Sequence, residues 1–167
     1  ASQQSKKEIN DRIRYNFVKY KEIKLNERDS ITYINDINFR NEINDKVMQL
    51  DTCLHICLNN YTKMVDTNIL TNVHILNLEG NNKIKDIGNL KKLKKVTIND
   101  KTRRVHLLKD IEEVVINMKT LKLNKDITSE IRKLKKINPS AIIRVEYTEI
   151  LGNYEHADNK AICLDQN

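Results

Sequence analysis

Cysteine and histidine are the residues of this chain best suited to chemistry, and three of them stand close together. Cys53, His55 and Cys57 alternate along the sequence, and thiolates with an imidazole are ligands that zinc accepts. On a strand the three side chains would share one face. No fourth ligand follows at the spacing that a zinc site requires, so we expect no metal and no other cofactor.

The other histidines, His74, His106 and His156, are dispersed along the chain. They belong to no pattern of a nucleophilic or metal-dependent enzyme. The chain has only three glycines, and none of them builds a phosphate-binding loop. We therefore predict that the protein is not an enzyme.

The apolar residues that would position these side chains follow a repeating frame. Val73-x-x-Leu76-x-Leu78-x-x-Asn81 matches the pattern L-x-x-L-x-L-x-x-N, and Leu93-x-x-Val96-x-Ile98 repeats it 20 residues later. Cys53-x-x-Ile56-x-Leu58 precedes it by the same distance. Two apolar residues separated by one form a short strand with inward side chains. The frame predicts parallel strands joined by loose or 3₁₀-like returns.

Asparagine at the ninth position of the frame can bond the backbone groups that turn away from a strand. Asn81 is placed to do so, whereas Tyr61 and Lys101 stand at this position in the neighbouring repeats. We expect the asparagine ladder to be weaker there, or closed in another way.

After Ile98 the period becomes irregular. Met118-x-x-Leu121-x-Leu123 supplies the next frame, while Ile111-x-x-Val114-x-Ile116 also fits and stays open as a separate strand. Thr128 predicts the N-cap of a helix, Ser129–Ile137. Ile143-x-Val145-x-Tyr147 predicts the last strand. The predicted strands lie near residues 56–58, 76–78, 96–98, 121–123 and 143–145.

The N-terminal part has a helical pattern. Ile9, Ile13, Phe17 and Tyr20 form the stripe of an amphipathic helix, and Ser30 begins a second helical region. A solenoid needs a cap over its first repeat. We predict one structural domain with three parts. They are residues 1–50, a helical N-terminal cap with the first strand; 51–151, the leucine-rich repeats; and 152–167, a C-terminal tail or cap with an apolar patch at 161–164.

The segment Thr71-Asn72-Val73-His74-Ile75-Leu76-Asn77-Leu78, followed by Ile84-Lys85-Asp86-Ile87, resembles the repeat of leucine-rich-repeat proteins of giant viruses of the mimivirus type. Residues 19–25 and 30–43 are similar to the segment before the repeats in those proteins, which often carry an F-box-like region first. The resemblance implies an α/β fold, a short leucine-rich-repeat solenoid with a curved parallel sheet. It also implies a partner protein from the host or the virus, met in the host cytoplasm or in the virion.

Composition limits the remaining possibilities. The net charge is +7, yet 32% of residues are charged and acids alternate with bases over most of the length. No run reaches the roughly 18 apolar residues that span a bilayer, and the first residues lack the apolar stretch of a signal peptide. We expect an intracellular protein without membrane contact. Its three cysteines should be free thiols.

The leading hypothesis is a protein-interaction module that binds a partner protein through its concave strand surface. The residues predicted to point outward there are His55, Cys57, Asn59, Ile75, Asn77, Glu79, Lys95, Thr97, Asn99, Thr120, Lys122, Asn124, Arg144 and Glu146.

Two alternatives stay open. One is a structural subunit of a virion or a homo-oligomer, formed by edge-to-edge pairing of terminal repeats. The other is a basic protein that binds nucleic acid without reading its sequence. Its candidate residues are Lys91, Lys92, Lys94, Lys95, Arg103, Arg104, Arg132, Lys133, Lys135 and Lys136.

Overall fold

The computed structural model describes residues 3–63, 65–118, 125–151 and 154–160, and for 3–5, 118, 147–151 and 154–160 it describes the backbone alone. The described part is a mixed α/β protein with four α-helices and one open sheet. The predicted strand at 121–123 and the apolar patch at 161–164 lie outside the described residues.

The helices fall into an N-terminal group of three and a single later helix. The α-helices are α1 (Gln3–Tyr20), α2 (Glu27–Asn35), α3 (Ile37–Gln49) and α4 (Lys125–Ile137), and the 3₁₀ turns are Thr67–Leu70 and Val105–Leu107. The two 3₁₀ turns confirm the predicted form of the returns between strands. No helix of the described part is long and apolar enough to cross a membrane.

The sheet follows the order of the chain. Its strands are β1 (Ile23–Lys24), β2 (Leu54–Cys57), β3 (Ile75–Asn77), β4 (Lys95–Ile98), β5 (Glu113–Met118), β6 (Ile142–Leu151) and β7 (Tyr154–Lys160). Each of β1 to β5 pairs in parallel with the next strand, and β7 pairs antiparallel with β6. The predicted parallel pairing of the segments at 76 and 96 is confirmed.

Helix α1 lies over the first strand of the sheet, as its apolar stripe predicts. Ile13 is buried in the core and Phe17 packs against it, while the side-chain amide of Asn16 donates to the main-chain oxygen of Lys24 at 3.0 Å. The β1 edge is therefore short and partly occupied by α1, which leaves little open backbone for another strand.

The predicted helix start at Ser30 is wrong. Helix α2 begins three residues earlier, because the Asn26 side chain accepts from the Asp29 amide at 2.8 Å and so caps the helix. Ser30 is fully buried instead. Its hydroxyl donates to Leu25 O at 3.4 Å and accepts from the Cys57 amide at 3.0 Å, which joins α2 to β2.

The 20-residue period sets the register of three neighbouring strands. His55 pairs with Ile75, and Ile75 pairs with Lys95. The frame positions of β3 and β4 are buried as predicted. They are Val73, Leu76, Leu78, Leu93, Val96 and Ile98.

The prediction that Cys53 points inward is wrong, because the neighbouring Leu54 points inward instead. Cys53 is half-buried, whereas Leu54 is fully buried together with Ile56 and Leu58. Strict alternation through β2 therefore replaces the frame spacing in this repeat.

Beyond Ile98 the repeat shortens. Lys95 pairs with Glu113, an offset of 18 residues. The alternative frame Ile111-x-x-Val114-x-Ile116 supplies the buried side chains of β5. The choice of Met118-x-x-Leu121-x-Leu123 as the next frame is wrong, because β5 pairs with β4 on one side and with β6 on the other.

Helix α4 connects β5 to β6 and closes the core on the side away from the sheet. It begins at Lys125, so the predicted N-cap at Thr128 is wrong, while its end at Ile137 is as predicted. Ile127, Ile131 and Leu134 are buried in the core. Apart from Ile137, which is exposed at the end of the helix, the remaining helix surface is polar.

Candidate functional site

The side of the sheet that faces away from the core is called the strand face below. Alternation along β2 to β6 fills it with side chains of mixed chemistry. It consists of His55, Cys57, Ile75, Asn77, Lys95, Thr97, Glu113, Val115, Ile142 and Arg144.

The parallel pairing arranges the strand face in two rows. The first row consists of His55, Ile75, Lys95, Glu113 and Ile142. The second row lies two residues further along each strand and consists of Cys57, Asn77, Thr97, Val115 and Arg144. Neighbouring side chains in a row stand about 4.8 Å apart, the spacing of paired strands. The backbone ladder thus holds a continuous surface five strands wide.

Glu113 is the electrostatic centre of one end of the strand face. Its carboxylate lies 3.1 Å from Nε of Arg144 and 3.7 Å from Nζ of Lys95. The carboxylate is about 20% exposed, whereas the two cations are 53% and 46% exposed. Glu113 therefore fixes both cations with part of their donors turned to solvent.

The other end of the strand face carries a histidine paired with an acid. Nδ1 of His55 lies 3.0 Å from a carboxylate oxygen of Glu22. Burial lowers the pKa of His55, against the opposing effect of Glu22. The pair holds the ring in place as a hydrogen-bonding group.

The cysteines near His55 are free thiols. Burial raises the pKa of Cys57, so its thiolate is less available at neutral pH. No group of three or more His, Cys, Asp or Glu side chains is arranged to hold a metal ion in the described residues.

Polar side chains continue the strand face where the strands end. The Glu79 amide donates to the side-chain oxygens of Asn59 and Asn77 at 3.2 and 3.1 Å. Nδ2 of Asn117 donates to the Glu79 carboxylate at 2.7 Å. This contact spans β4, which lies between β3 and β5 in the sheet.

Asn99, the residue after β4, was also predicted to face outward, and this placement is wrong. Its side chain is 8% exposed. Nδ2 of Asn99 donates to Leu78 O at 2.8 Å and to Asn81 O at 2.6 Å. Two buried carbonyl groups need these bonds, so the side chain turns inward.

The remaining predicted residues divide into three groups. His55, Cys57, Ile75, Asn77, Lys95, Thr97 and Arg144 lie on the strand face, and Asn59, Glu79 and Glu146 lie at its end. Thr120, Lys122 and Asn124 lie outside the described residues.

Glu113, Val115 and Asn117 belong to this surface but were not predicted. They follow from the alternative frame Ile111-x-x-Val114-x-Ile116. Val115 is only 4% exposed, although it stands outside the main core cluster. A nearly buried apolar side chain therefore lies in the second row, between Thr97 and Arg144.

A second polar surface lies on α4. Its outward side, called the helix face below, carries Lys125, Ser129, Arg132, Lys133 and Lys136, all exposed. Together with Thr128 these residues line a shallow depression. The core separates the helix face from the strand face.

Comparisons with protein-family models, with curated protein sequences and with solved structures found no match to this chain. The geometry of the two surfaces is therefore the basis for assigning a function.

Proposed function

We propose that the chain is a leucine-rich-repeat module that binds another protein through the strand face. The observation that carries the proposal is the register of β2, β3 and β4. Residues 20 apart, such as His55, Ile75 and Lys95, stand side by side on an open surface. Stacked repeats of this kind create an extended surface whose outward residues are free to specify a partner.

Two further features support the leucine-rich-repeat assignment. The amide of Asn81 donates to main-chain oxygens of Leu58 and Tyr61, at 2.8 and 2.9 Å, and so ties one repeat to the one before it. The returns from β2 to β3 and from β4 to β5 each contain a 3₁₀ turn, and a small rotation from one repeat to the next curves a stack of this kind with the strands inside. The strand face would then be concave.

The chemistry of the strand face suits a protein surface better than a small ligand. Ile75 and Ile142 provide apolar area, Asn77 and Thr97 provide hydrogen-bonding groups, and Arg144 provides charge. Protein interfaces combine apolar contacts with polar ones in this way. Because paired strands already fix these residues, little conformational entropy is lost on binding.

Edge-to-edge assembly has less support at the N-terminal end of the sheet. Helix α1 covers β1, and Asn16 occupies the Lys24 carbonyl. Another strand could pair there only after α1 moved away. This favours contact through the strand face.

We propose further that the partner is a host or viral protein and that they meet in the host cytoplasm or in the virion. This part rests on the resemblance of the repeat at residues 71–87.

The test is capture of partners from nuclease-treated extract of the native host cell, quantified by mass spectrometry. The face variant combines Ile75→Ser, Lys95→Ser and Arg144→Ser. A matched control combines Ile137→Ser, Lys63→Ser and Lys101→Ser, which also removes one apolar side chain and two cations, all exposed.

We expect proteins that the wild type enriches to be lost from the face variant and retained by the control. Equal enrichment by the two variants would contradict the proposal, because the strand face would then not be the binding surface.

A further inference from the structure

The helix face has a composition that sets it apart from the rest of the surface. Viewed down α4, residues 125, 129, 132, 133 and 136 fall on one side at the helical period, opposite the buried Ile127, Ile131 and Leu134. Four of these five outward residues are cations. The helix face is therefore a continuous basic stripe about 16 Å long, at 1.5 Å per residue.

Within the described residues, the four cations of the stripe have no internal partner. In the described part of the chain no hydrogen bond or salt bridge engages Lys125, Arg132, Lys133 or Lys136. The nearby Lys135 differs, because its ammonium group donates to Pro139 O and Ala141 O at 2.7 and 2.8 Å. Lys135 serves the end of the helix and contributes no free charge.

Most basic residues of the other dense stretch are also engaged. Lys91 donates to Leu107 O and Lys92 donates to the Asn72 side chain, both at 3.0 Å. Lys95 pairs with Glu113. The structure thus separates two stretches that look alike in sequence, and only the one on α4 presents a cluster of free cations on one element.

The acids of α4 stand to one side of the stripe. Asp126 and Glu130 are four residues apart and lie along one edge of the stripe. The Glu130 carboxylate accepts from the main-chain amide and the ring of His106. Burial opposes ionisation of Glu130, but the bonds from His106 hold its pKa below the usual value. Glu130 is therefore occupied and does not neutralise the stripe.

We propose that the helix face binds the phosphate backbone of double-stranded nucleic acid, without reading its sequence. Charge complementarity carries the proposal, since duplex nucleic acid presents one negative charge per about 1.7 Å of its axis. Arg132, Lys133 and Lys136 suit phosphate oxygens as donors. Ser129 adds a hydroxyl of the kind that contacts the backbone.

Two other partners fit the helix face less well. A helix that inserts into a membrane surface exposes apolar residues there, whereas the apolar side of α4 is buried in the core. A protein interface needs aromatic or aliphatic anchors at its centre, and the centre of the stripe has none. Of these three kinds of partner, a polyanion held by charge alone fits the helix face best.

The experiment is a fluorescence-anisotropy titration of a labelled 20-base-pair duplex of mixed sequence with the full chain, at several salt concentrations. The stripe variant combines Arg132→Gln, Lys133→Gln and Lys136→Gln, which keeps good helix-forming residues. The control variant combines Lys63→Gln, Lys83→Gln and Lys101→Gln, three exposed lysines after β2, β3 and β4. Both variants lose the same charge, and circular dichroism checks that both are folded.

We expect the stripe variant to bind the duplex at least about tenfold more weakly. The slope of log affinity against log salt concentration should become shallower by about three. The control variant should lose much less affinity. An equal loss in both variants, or no binding by the wild type at 50 mM salt, would overturn the proposal. Equally tight binding of the wild type to phosphatidylserine vesicles, lost in the stripe variant, would assign the stripe to membranes instead.

Discussion

Asn81 and Asn99 make the same pair of hydrogen bonds one repeat apart, although 18 residues separate them instead of 20. Asn81 donates to Leu58 O and Tyr61 O, and Asn99 donates to Leu78 O and Asn81 O. Leu58 and Leu78 are equivalent in the strand register, as are Tyr61 and Asn81. The two asparagines therefore occupy one structural position.

This equivalence locates the shortening of the repeat. Leu78 is followed by Glu79 and Gly80 before Asn81, whereas Ile98 is followed directly by Asn99. A Cβ on Gly80 would stand 2.9 Å from Asn59 O, so the longer turn needs a glycine where it approaches the preceding repeat. Because the turn after Ile98 lacks these two residues, every later inward position comes two residues earlier than the 20-residue period predicts.

The first prediction is that Asn99→Ala destabilises the protein by about 1–3 kcal/mol, because two buried carbonyl groups lose their donor. Lys101→Ala should cost less than about 0.5 kcal/mol, since its side chain is exposed. Urea unfolding of both variants measures the difference. If the two variants lose the same free energy of unfolding, Asn99 does not bond the preceding repeat more strongly than Lys101, the residue at the ninth position of the frame.

The strand register from β2 to β4 could be predicted because apolar alternation and period are strong signals in the sequence. Val73, Leu76 and Leu78 bury the same side that the frame indicates. The prediction failed after Ile98 because two frames, at 111 and at 118, have equally suitable residues. Nothing in a string of apolar residues shows that a turn has lost two positions.

The helix starts were missed for a different reason. The chain is rich in Asn, Asp, Ser and Thr, so several residues near each start could cap a helix. Ser30 and Thr128 were plausible caps, but Asn26 supplies the cap of α2 and α4 starts at Lys125. Only tertiary packing decides among such neighbours.

The contacts of the strand face depend on pairings between distant strands. Glu113 joins Lys95 on β4 to Arg144 on β6, and Asn117 reaches Glu79. None of these pairs has a sequence spacing that predicts contact. The correct register of β5 is needed before any of them becomes visible.

The second prediction compares neighbours of the same aliphatic type on β3. Leu76 is 1% exposed and lies in the core, whereas Ile75 is half-exposed on the strand face. Leu76→Ala should cost about 2–5 kcal/mol, and Ile75→Ala less than about 1 kcal/mol. Chemical denaturation decides. A larger loss for Ile75→Ala would reverse the assignment of the two sides of the sheet.

The third prediction concerns the attachment of α1. Arg12 donates to both carboxylate oxygens of Asp29, at 2.8 and 3.1 Å, and Asp29 is 2% exposed. Arg12→Ala leaves this carboxylate buried without its partner, at a cost of about 1–3 kcal/mol because Arg12 itself is partly exposed. The control Arg14→Ala changes an exposed arginine of the same helix. Thermal unfolding at neutral pH should distinguish the two, and similar melting temperatures would argue against the ion pair.

The fourth prediction is a pH dependence that involves His74. Burial and then Lys94 and Lys92 lower its pKa from 6.5, and its Nδ1 accepts from the Leu54 amide at 3.0 Å. The unfolded chain therefore binds the proton more readily, so this stability is complete above pH 6.5 and is lost as the pH falls through the folded-state pKa. In His74→Asn, which keeps an acceptor but does not titrate, the free energy of unfolding should fall less between pH 8 and pH 5. If the free energy of unfolding has the same pH dependence in His74→Asn as in the wild type, His74 does not contribute to it.

The last prediction is that the two surfaces act independently. The strand face and the helix face lie on opposite sides of the core, so residues such as Ile75 and Lys133 share no contacts. Substitutions that are far apart without shared partners have additive effects. The face variant should therefore bind the duplex as the wild type does, and the stripe variant should still capture nuclease-resistant protein partners. Measuring both activities for both variants checks this, and a variant of one surface that abolishes both would show that they serve a single binding site.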